Sequence, residues 1–301
     1  MRIISLLPSA TEIICLLDLQ NDLVGITHEC DYPMGLDHLP IVTHSSIKKN
    51  VTSRAIDAQV RDSLQYTNAL YTLNDELIER LQPDLFVTQS LCNVCAVDHN
   101  DVLKLAQKLT STPAIVNLEP VCLNDIYATL QQLGEATQRP TLATQKIAHM
   151  QQHVEAIALQ SHQRVQHSAR PRVVFLEWID PLFSSRHWIP EIIHLAGGED
   201  MLGTAGDAAV RLEWSQICAI DPEFLVVSCC GYNLEQTQRD LEILQNFDGW
   251  QQLRCVQTKR CFVVDANAYF SRPSPRLLDS LEIMSNILKH EADSRYQLIT
   301  A

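Results

Sequence analysis

The chain has 301 residues, of which 46% are hydrophobic and 20% charged, and its formal net charge is -13. This length exceeds what one hydrophobic core usually organises, so the totals predict a globular protein with two domains. The acidic balance and the lack of any basic run argue against nucleic acid or an anionic membrane as a partner, because phosphate contacts need clustered Lys and Arg.

The N-terminal stretch does not have the pattern of a targeting segment. The apolar run Ile3 to Leu7 is broken by Pro8, and Glu12 follows soon after, whereas a secretory signal needs a longer uninterrupted apolar stretch. No run is long enough to span a bilayer. The sequence as it stands therefore predicts a cytoplasmic protein with reduced thiols, and a periplasmic protein whose leader is missing from the chain is the competing interpretation.

The turn after the first predicted strand resembles a helix N-terminus. Ser9 is followed three residues later by Glu12, which is the capping-box spacing. We expect Ser9 to cap the helix and the free backbone N–H groups of its first turn to face a ligand.

The chain contains two related halves. The run Arg2 to Leu6 is similar to Arg172 to Leu176, and Leu81 to Val87 is similar to Ile220 to Val227. In the second pair an acidic residue follows Pro and leads into an apolar run, which is typical of a buried parallel strand. The repeated order of strand, loop, helix and strand predicts two α/β lobes.

The segment between the halves is predicted to form one helix. Residues Leu142 to Val165 contain neither Gly nor Pro, and their apolar side chains recur at steps of three and four residues. We therefore predict an N-terminal lobe over residues 1–140, an interdomain helix over 141–169 and a C-terminal lobe over 170–301.

The loops after the predicted strands are rich in aromatic side chains. In open parallel sheets, ligands bind beyond the carboxyl ends of the strands, so these loops are the predicted site. They contain Tyr32, Trp178, Trp188, Tyr232 and Tyr269. Such rings suit a large, flat and partly apolar ligand in a cleft between the lobes.

The same loops contain several soft metal ligands. Cys92 and Cys95 form a C-x-x-C motif, which alone does not distinguish a zinc site from a redox site, and Ala96 excludes c-type haem attachment. The other candidates in these loops are His28, Cys30, His187, Cys229 and Cys230. One alternative is thus a cytosolic metal-binding protein that holds Zn or an Fe-S centre with Cys30, Cys92, Cys95 and either His28 or Cys230. Another is an enzyme that uses Cys30 and a His.

Several segments together resemble the cobalamin-binding family among the substrate-binding proteins of ABC importers. The segments are I-I-S-L-L-P-S-A-T-E-I-I, T-H-E-C-D-Y-P, E-W-I-D-P-L-F, H-W-I-P-E-I-I-H-L-A-G-G and N-A-Y-F-S-R-P-S-P-R-L-L-D-S. The resemblance implies two Rossmann-like lobes with mainly parallel sheets, one rigid helix between them, and a corrinoid in the cleft. It also implies an ABC-transporter permease as a partner.

The leading interpretation is a non-enzymatic protein that binds cobalamin, or a related corrinoid or metal chelate, without inserting into a membrane. The predicted ligand-binding residues are Ser9, Tyr32, Trp178, His187, Trp188, Tyr232, Tyr269 and Arg272. The resemblance itself points to Tyr32, Trp188, Tyr269 and Arg272.

Overall fold

The structure is a computed structural model that describes residues 1–48, 51–66, 70–91 and 96–299. Its chain forms two compact units. The first unit comprises Met1–Val51, Ala58–Pro120 and Asn124–Ala148, and the second comprises Thr52–Asp57, Val121–Leu123 and His149–Ala301.

The first unit is built on a parallel sheet. Its strands are β1 (Ile3–Ser5), β2 (Leu23–Gly25), β3 (Thr43–Ser45), β4 (Tyr71–Leu73), β5 (Leu85–Thr88) and β6 (Ala114–Asn117). Strands β2, β1, β5 and β6 lie in that order and all pair in parallel, while β3 and β4 form a separate antiparallel pair. Ile4 and Phe86 are fully buried between the helices, as expected for a parallel sheet that is covered on both faces.

Among the described residues before position 149, six α-helices begin. They are α1 (Pro8–Leu16), α2 (Ser53–Tyr66), α3 (Asp75–Leu81), α4 (His99–Lys108), α5 (Leu123–Ala136) and α6 (Pro140–Val165). The division between the two units falls inside α6, between Ala148 and His149. Helix α6 starts two residues before the predicted Leu142, because Pro140 has the fixed φ and missing N–H that suit a first helical turn.

The second unit repeats the strand order of the first and adds edge strands. Its strands are β7 (Arg172–Trp178), β8 (Phe183–Ser184), β9 (Glu199–Asp200), β10 (Phe224–Val227), β11 (Cys261–Val264) and β12 (Tyr296–Leu298). The parallel order β9, β7, β10, β11 matches β2, β1, β5, β6, while β8 and β12 pair antiparallel with β7 and β11. The prediction of two α/β lobes with mainly parallel sheets is confirmed.

Helices also cover the sheet of the second unit. They are α7 (Ile189–Leu195), α8 (Trp214–Ile220), α9 (Leu234–Gln245), α10 (Arg254–Gln257) and α11 (Leu277–Lys289). The core contains the inward residues of the central strands, such as Leu176, Val227 and Val263, together with the ring of Trp250. In the part of the chain that the structure describes, no helix is both long and apolar enough to cross a membrane.

The predicted cap of the first helix is wrong. Helix α1 begins at Pro8, its N-cap is Leu7, and no side chain caps it. Ser9 lies inside the first turn and is only 3% exposed. The proline starts the helix two residues earlier than the capping-box spacing requires, since its ring fixes φ and it has no N–H to satisfy.

Candidate functional site

The loops at the carboxyl edge of the second unit's sheet form the candidate site. Strands β7, β10 and β11 run parallel, so the loops that follow them emerge at one edge. Trp178 ends β7, while Cys230 and Tyr232 follow β10 and Tyr269 follows β11. Four of the predicted ligand-binding or metal-binding residues therefore belong to one edge of one sheet.

Trp178 and Tyr232 form an aromatic pair at this edge. Their ring centroids are 5.1 Å apart with an interplanar angle of 59°. The indole Nε1–H of Trp178 donates to the carbonyl oxygen of Asp180 at 3.2 Å, which fixes the ring's orientation. Tyr232 is buried, and this burial raises the pKa of its phenol, so the ring stays neutral. Tyr232 belongs to the hydrophobic core of the unit, and the partly exposed ring of the pair is that of Trp178.

A buried ion pair lies beside this aromatic pair. Arg186 Nε is 2.7 Å from Glu177 Oε2, and the backbone N–H of Arg186 donates to Glu177 Oε1 at 3.1 Å. The guanidinium also donates to Cys230 Sγ at 3.3 Å, and the Cys230 N–H donates to the Glu177 carbonyl oxygen at 3.0 Å. Burial raises the pKa of Glu177, and the charge of Arg186 opposes this shift. The carboxyl group of β7, the guanidinium from the loop after β8 and the thiol from the loop after β10 are thus held together.

His187 is held in an uncommon backbone conformation next to this pair. It has a φ of 51° and is 8% exposed. Its backbone N–H donates to the Asp207 carbonyl oxygen at 2.8 Å, and its own carbonyl oxygen accepts from Gly206 N–H at 2.9 Å. Burial, followed by the charge of Arg186, lowers the pKa of His187 to about 4. The imidazole is therefore neutral at pH 7.

Trp188 packs inside the second unit. It is 3% exposed, and its indole Nε1–H donates to the carbonyl oxygen of Phe270 at 3.1 Å. Its ring lies 5.6 Å from that of His187. The contacts that the structure gives to Trp188 join the loop before α7 to the loop after β11.

Tyr269 and Arg272 lie in a π-helical turn and its continuation. The turn spans Ala266–Phe270, and the Asp265 side chain caps it by accepting from Ala268 N–H at 2.7 Å. Tyr269 is partly exposed, and the Arg276 guanidinium lies 6.0 Å from the centre of its ring. Arg272 is 6% exposed and donates to Asn267 Oδ1 at 2.8 Å. Tyr269 is the more accessible of the two predicted residues.

The first unit has a small pocket at the carboxyl edge of its own sheet. It is lined by Leu6, Pro8, Thr27, Glu29, Thr43, Tyr71, Ala96 and Val97. His28 Nδ1 is 2.7 Å from Thr43 Oγ1, and its Nε2 is 3.2 Å from Glu29 Oε1. Cys30 Sγ is 3.0 Å from Thr11 Oγ1, whose hydroxyl donates to Ser5 Oγ at 2.8 Å. Tyr32, the aromatic residue predicted to bind ligand in this unit, is 42% exposed, so its ring is accessible to solvent.

The structure does not assemble the predicted metal centre from the residues it describes. Cys92 and Cys95 lie outside the described residues. His28 and Cys30 contact threonine hydroxyls in the first unit, and Cys230 contacts Arg186 in the second. Within residues 1–48, 51–66, 70–91 and 96–299, no group of three or more His, Cys, Asp or Glu side chains is placed to hold a metal ion.

The sequence reasoning missed the Glu177–Arg186 ion pair. A usable signal was present, because Glu177 is the one charged residue in the otherwise apolar stretch Val173 to Trp178. A charged side chain in a buried strand requires a partner. The sequence does not identify this partner. Arg186 follows the short antiparallel strand β8, and no pattern in the sequence indicates that strand.

Comparisons with known proteins agree with this architecture. A family model described as periplasmic binding protein matches residues 3–268. The vitamin B12-binding protein of Vibrio cholerae serotype O1 is 24% identical over 297 residues, and the alignment covers 96% of this chain and 89% of that protein. The solved structure of the periplasmic vitamin B12 binding protein BtuF of Vibrio cholerae superposes with a TM-score of 0.67 at 22% identity and covers 96% of both chains. A periplasmic heme binding protein from Pseudomonas aeruginosa gives a TM-score of 0.75 at 17% identity, with 100% of this chain and 98% of that chain covered.

Proposed function

The chain belongs to the periplasmic binding protein family, and from this premise we propose that its ligand is cobalamin or a closely related corrinoid. Members of this family bind solutes and are not enzymes, and relatives of nearly the same length are named vitamin B12-binding proteins. The observation that carries the choice of ligand is the Trp178–Tyr232 pair at the carboxyl edge of the second unit's sheet. A flat macrocycle gains contact area on such rings without requiring a charge from the protein.

The charge balance of the edge also favours a corrinoid. The guanidinium of Arg186 is 2.7 Å from the Glu177 carboxyl group and is therefore already paired within the protein. A corrin ring carries neutral amide side chains, which accept and donate hydrogen bonds without an opposing charge. The net charge of -13 likewise disfavours a strongly anionic ligand.

A second candidate ligand is haem, and His187 favours it. The pKa of this imidazole is lowered to about 4, and its Nδ1 atom has no hydrogen-bond partner among the described residues. A neutral imidazole is the form that binds haem iron. The haem-binding structural neighbours share the fold with this chain at 16% to 19% identity, and they support the fold alone.

The proposal extends to where the protein acts and what receives the ligand. We propose that it works in the periplasm and delivers its ligand to an ABC-transporter permease, since its family consists of periplasmic binding proteins. The cytosolic interpretation, in which Zn or Fe-S is held by His28, Cys30, Cys92, Cys95 or Cys230, has no support among the relatives.

Parallel calorimetric titrations with cyanocobalamin and with hemin test the choice of ligand. We expect cyanocobalamin to bind with one site per chain and micromolar or tighter affinity. Binding of hemin alone, with a Soret shift that is lost in a His187→Asn variant, would replace the first candidate by the second. Failure of both ligands to bind would overturn the tetrapyrrole proposal.

A further inference from the structure

Two cysteines in the core of the second unit lie close together. Cys255 is in α10 and Cys261 is the first residue of β11, with exposed fractions of 0% and 2%. Both are free thiols in the structure and belong to one hydrophobic cluster. They do not contribute to the candidate site, because they lie at the amino end of β11 whereas the site lies beyond its carboxyl end.

The turn between them explains their proximity. Lys259 has a left-handed φ of 55°, and its N–H donates to the Val256 carbonyl oxygen at 3.1 Å. The next N–H, that of Arg260, reaches back to the Cys255 carbonyl oxygen at 2.7 Å. These two hydrogen bonds are those of a Schellman motif, which reverses the chain at the end of a helix. The reversal brings the residue after Arg260 next to the last turn of α10.

The side chains contact each other as a result. Both side chains pack in one hydrophobic cluster, and hydrogen bonding to the Cys255 thiol, followed by burial, raises the pKa of Cys261. Both backbones are fixed by their surroundings. Cys261 pairs with Leu225 of β10, and its carbonyl oxygen accepts from Ile299 N–H at 2.8 Å. The thiols therefore face each other on two rigid elements.

We propose that Cys255 and Cys261 are joined by a disulfide bond when the chain folds in an oxidising compartment. The oxidant is a disulfide-bearing molecule, either a protein thiol oxidase or oxidised glutathione. The thiolate of one cysteine attacks the oxidant's S–S bond and expels one thiol, and the other cysteine then attacks the mixed disulfide and expels the second. Two cysteine thiols are oxidised, one oxidant disulfide is reduced to two thiols, and the two cysteine protons pass to those thiols.

The reaction belongs to folding rather than to the folded state. Only a thiolate attacks a disulfide, and both sulfurs are buried away from any oxidant once the core has formed. The Schellman turn is local in sequence, so it can bring the two cysteines together before the rest of the core excludes the oxidant. This inference does not depend on which ligand the protein binds.

Peptide mapping of the full chain tests the proposal. The protein is unfolded and reduced, refolded in a glutathione redox buffer, blocked with iodoacetamide under denaturing conditions, and digested with trypsin without reduction. Cleavage after Arg254, Lys259 and Arg260 separates the peptide Cys255–Lys259 from Cys261–Arg276. We expect these peptides to be recovered as one cross-linked species that is two hydrogens lighter than their sum, and to separate on reduction.

A matched variant provides the control. Cys218→Ala removes a thiol of the same unit outside the pair, and we expect it to retain the cross-linked species and the melting temperature of the oxidised protein. Cys255→Ala should lose the species and melt roughly 5 °C lower, which is the scale expected for a short cross-linked loop. Alkylation of both Cys255 and Cys261 in the refolded wild-type protein, or a link from either to another cysteine, would overturn the proposal.

Discussion

At the residue scale, the most informative feature of the candidate site is how its charges are compensated. Glu177 and Arg186 are both largely buried and are 2.7 Å apart, so each removes the need for the other to find a partner in a ligand. Buried pairs of this kind add little net stability, but losing one member is costly because it leaves an uncompensated charge. The pair therefore satisfies its own polar groups within the second unit and joins β7 to the loop after β8.

Replacement of Trp178 by Leu is expected to weaken ligand binding. The change removes an indole ring that lies 5.1 Å from Tyr232, and with it the aromatic surface that we propose contacts the macrocycle. Stacked aromatic contacts contribute about 0.5 to 1.5 kcal/mol beyond the area they bury, so the Kd should rise roughly 2-fold to 10-fold or more. The measurement is a calorimetric titration with cyanocobalamin.

Phe224→Leu is the matched control for this change. Phe224 is a buried aromatic residue at the opposite, amino end of β10, where the Arg260 guanidinium lies 5.1 Å from its ring centre. We expect the same replacement there to reduce stability while leaving the Kd unchanged. Equal Kd values for wild-type protein and Trp178→Leu would exclude Trp178 from the site.

His187 is expected to make the protein sensitive to acid. Its pKa in the folded state is about 4, below the ordinary value of 6.5, because burial disfavours the charged ring. The unfolded chain therefore binds a proton more readily, so this contribution to stability is complete above pH 6.5 and is lost as the pH falls towards 4. At about 1.36 kcal/mol per pKa unit, the loss should amount to about 3 kcal/mol.

The variant His187→Asn isolates this effect. Asn does not titrate in this range, and it tolerates the left-handed backbone that His187 adopts. Urea unfolding at pH 7 and at pH 4.5 should show a smaller loss of stability for the variant than for the wild-type protein. An equal loss in both proteins would mean that other groups cause the acid sensitivity.

At the element scale, the N-termini of helices α1 and α9 are stabilised in different ways. Helix α1 has Pro8 in its first turn and no side-chain cap, whereas α9 has a capping box. In that box, Asn233 Oδ1 accepts from Gln236 N–H and Gln236 Oε1 accepts from Asn233 N–H, both at 2.9 Å. Helix α9 directly follows the β10 loop that carries Tyr232, so its cap also holds part of the candidate site.

The two helices give a paired prediction for alanine substitutions. Asn233→Ala should lower the free energy of unfolding by about 1 kcal/mol, because it removes the side chain that satisfies Gln236 N–H. Asn233→Ser should recover most of this loss. Ser9→Ala should change stability by less than about 0.5 kcal/mol, since Ser9 does not cap α1. Urea unfolding curves measure all three variants, and a larger effect at Ser9 than at Asn233 would contradict the assignment of the caps.

Most of the central elements could be predicted from the sequence, because their signals are local. The apolar runs that become β1, β5, β7 and β10 are long enough to indicate buried strands, and the regular apolar spacing before residue 165 indicates α6. The two-residue strands β8 and β9 and the π-helical turn at Ala266–Phe270 have no such signal. Strands β8 and β9 both form by pairing with β7, so tertiary contacts rather than a local sequence pattern determine them.

At the scale of the whole molecule, the internal repeat was the most useful feature of the sequence. Because the segments resemble each other in the same order, one topology could be inferred for both halves, and the sheets share the parallel order seen in β2, β1, β5, β6 and in β9, β7, β10, β11. The contacts that individual site residues make could not be inferred in this way. Trp188, for example, donates to Phe270, which is 82 positions away, and no periodic pattern encodes such a contact.

The distribution of tryptophan allows ligand binding to be followed in one unit. All four tryptophans, Trp178, Trp188, Trp214 and Trp250, lie in the second unit, so the unfolding transition seen by tryptophan fluorescence reports on that unit alone. A ligand that binds only the folded state stabilises it by about 2.7 kcal/mol when present at 100 times its Kd.

If the loops after β7, β10 and β11 hold the ligand, saturating cyanocobalamin should move the fluorescence-detected urea midpoint upward. The shift should shrink in Trp178→Leu at the same ligand concentration, because that variant binds more weakly. An unchanged midpoint in the wild-type protein, under conditions where calorimetry shows binding, would mean that the second unit does not contribute to holding the ligand.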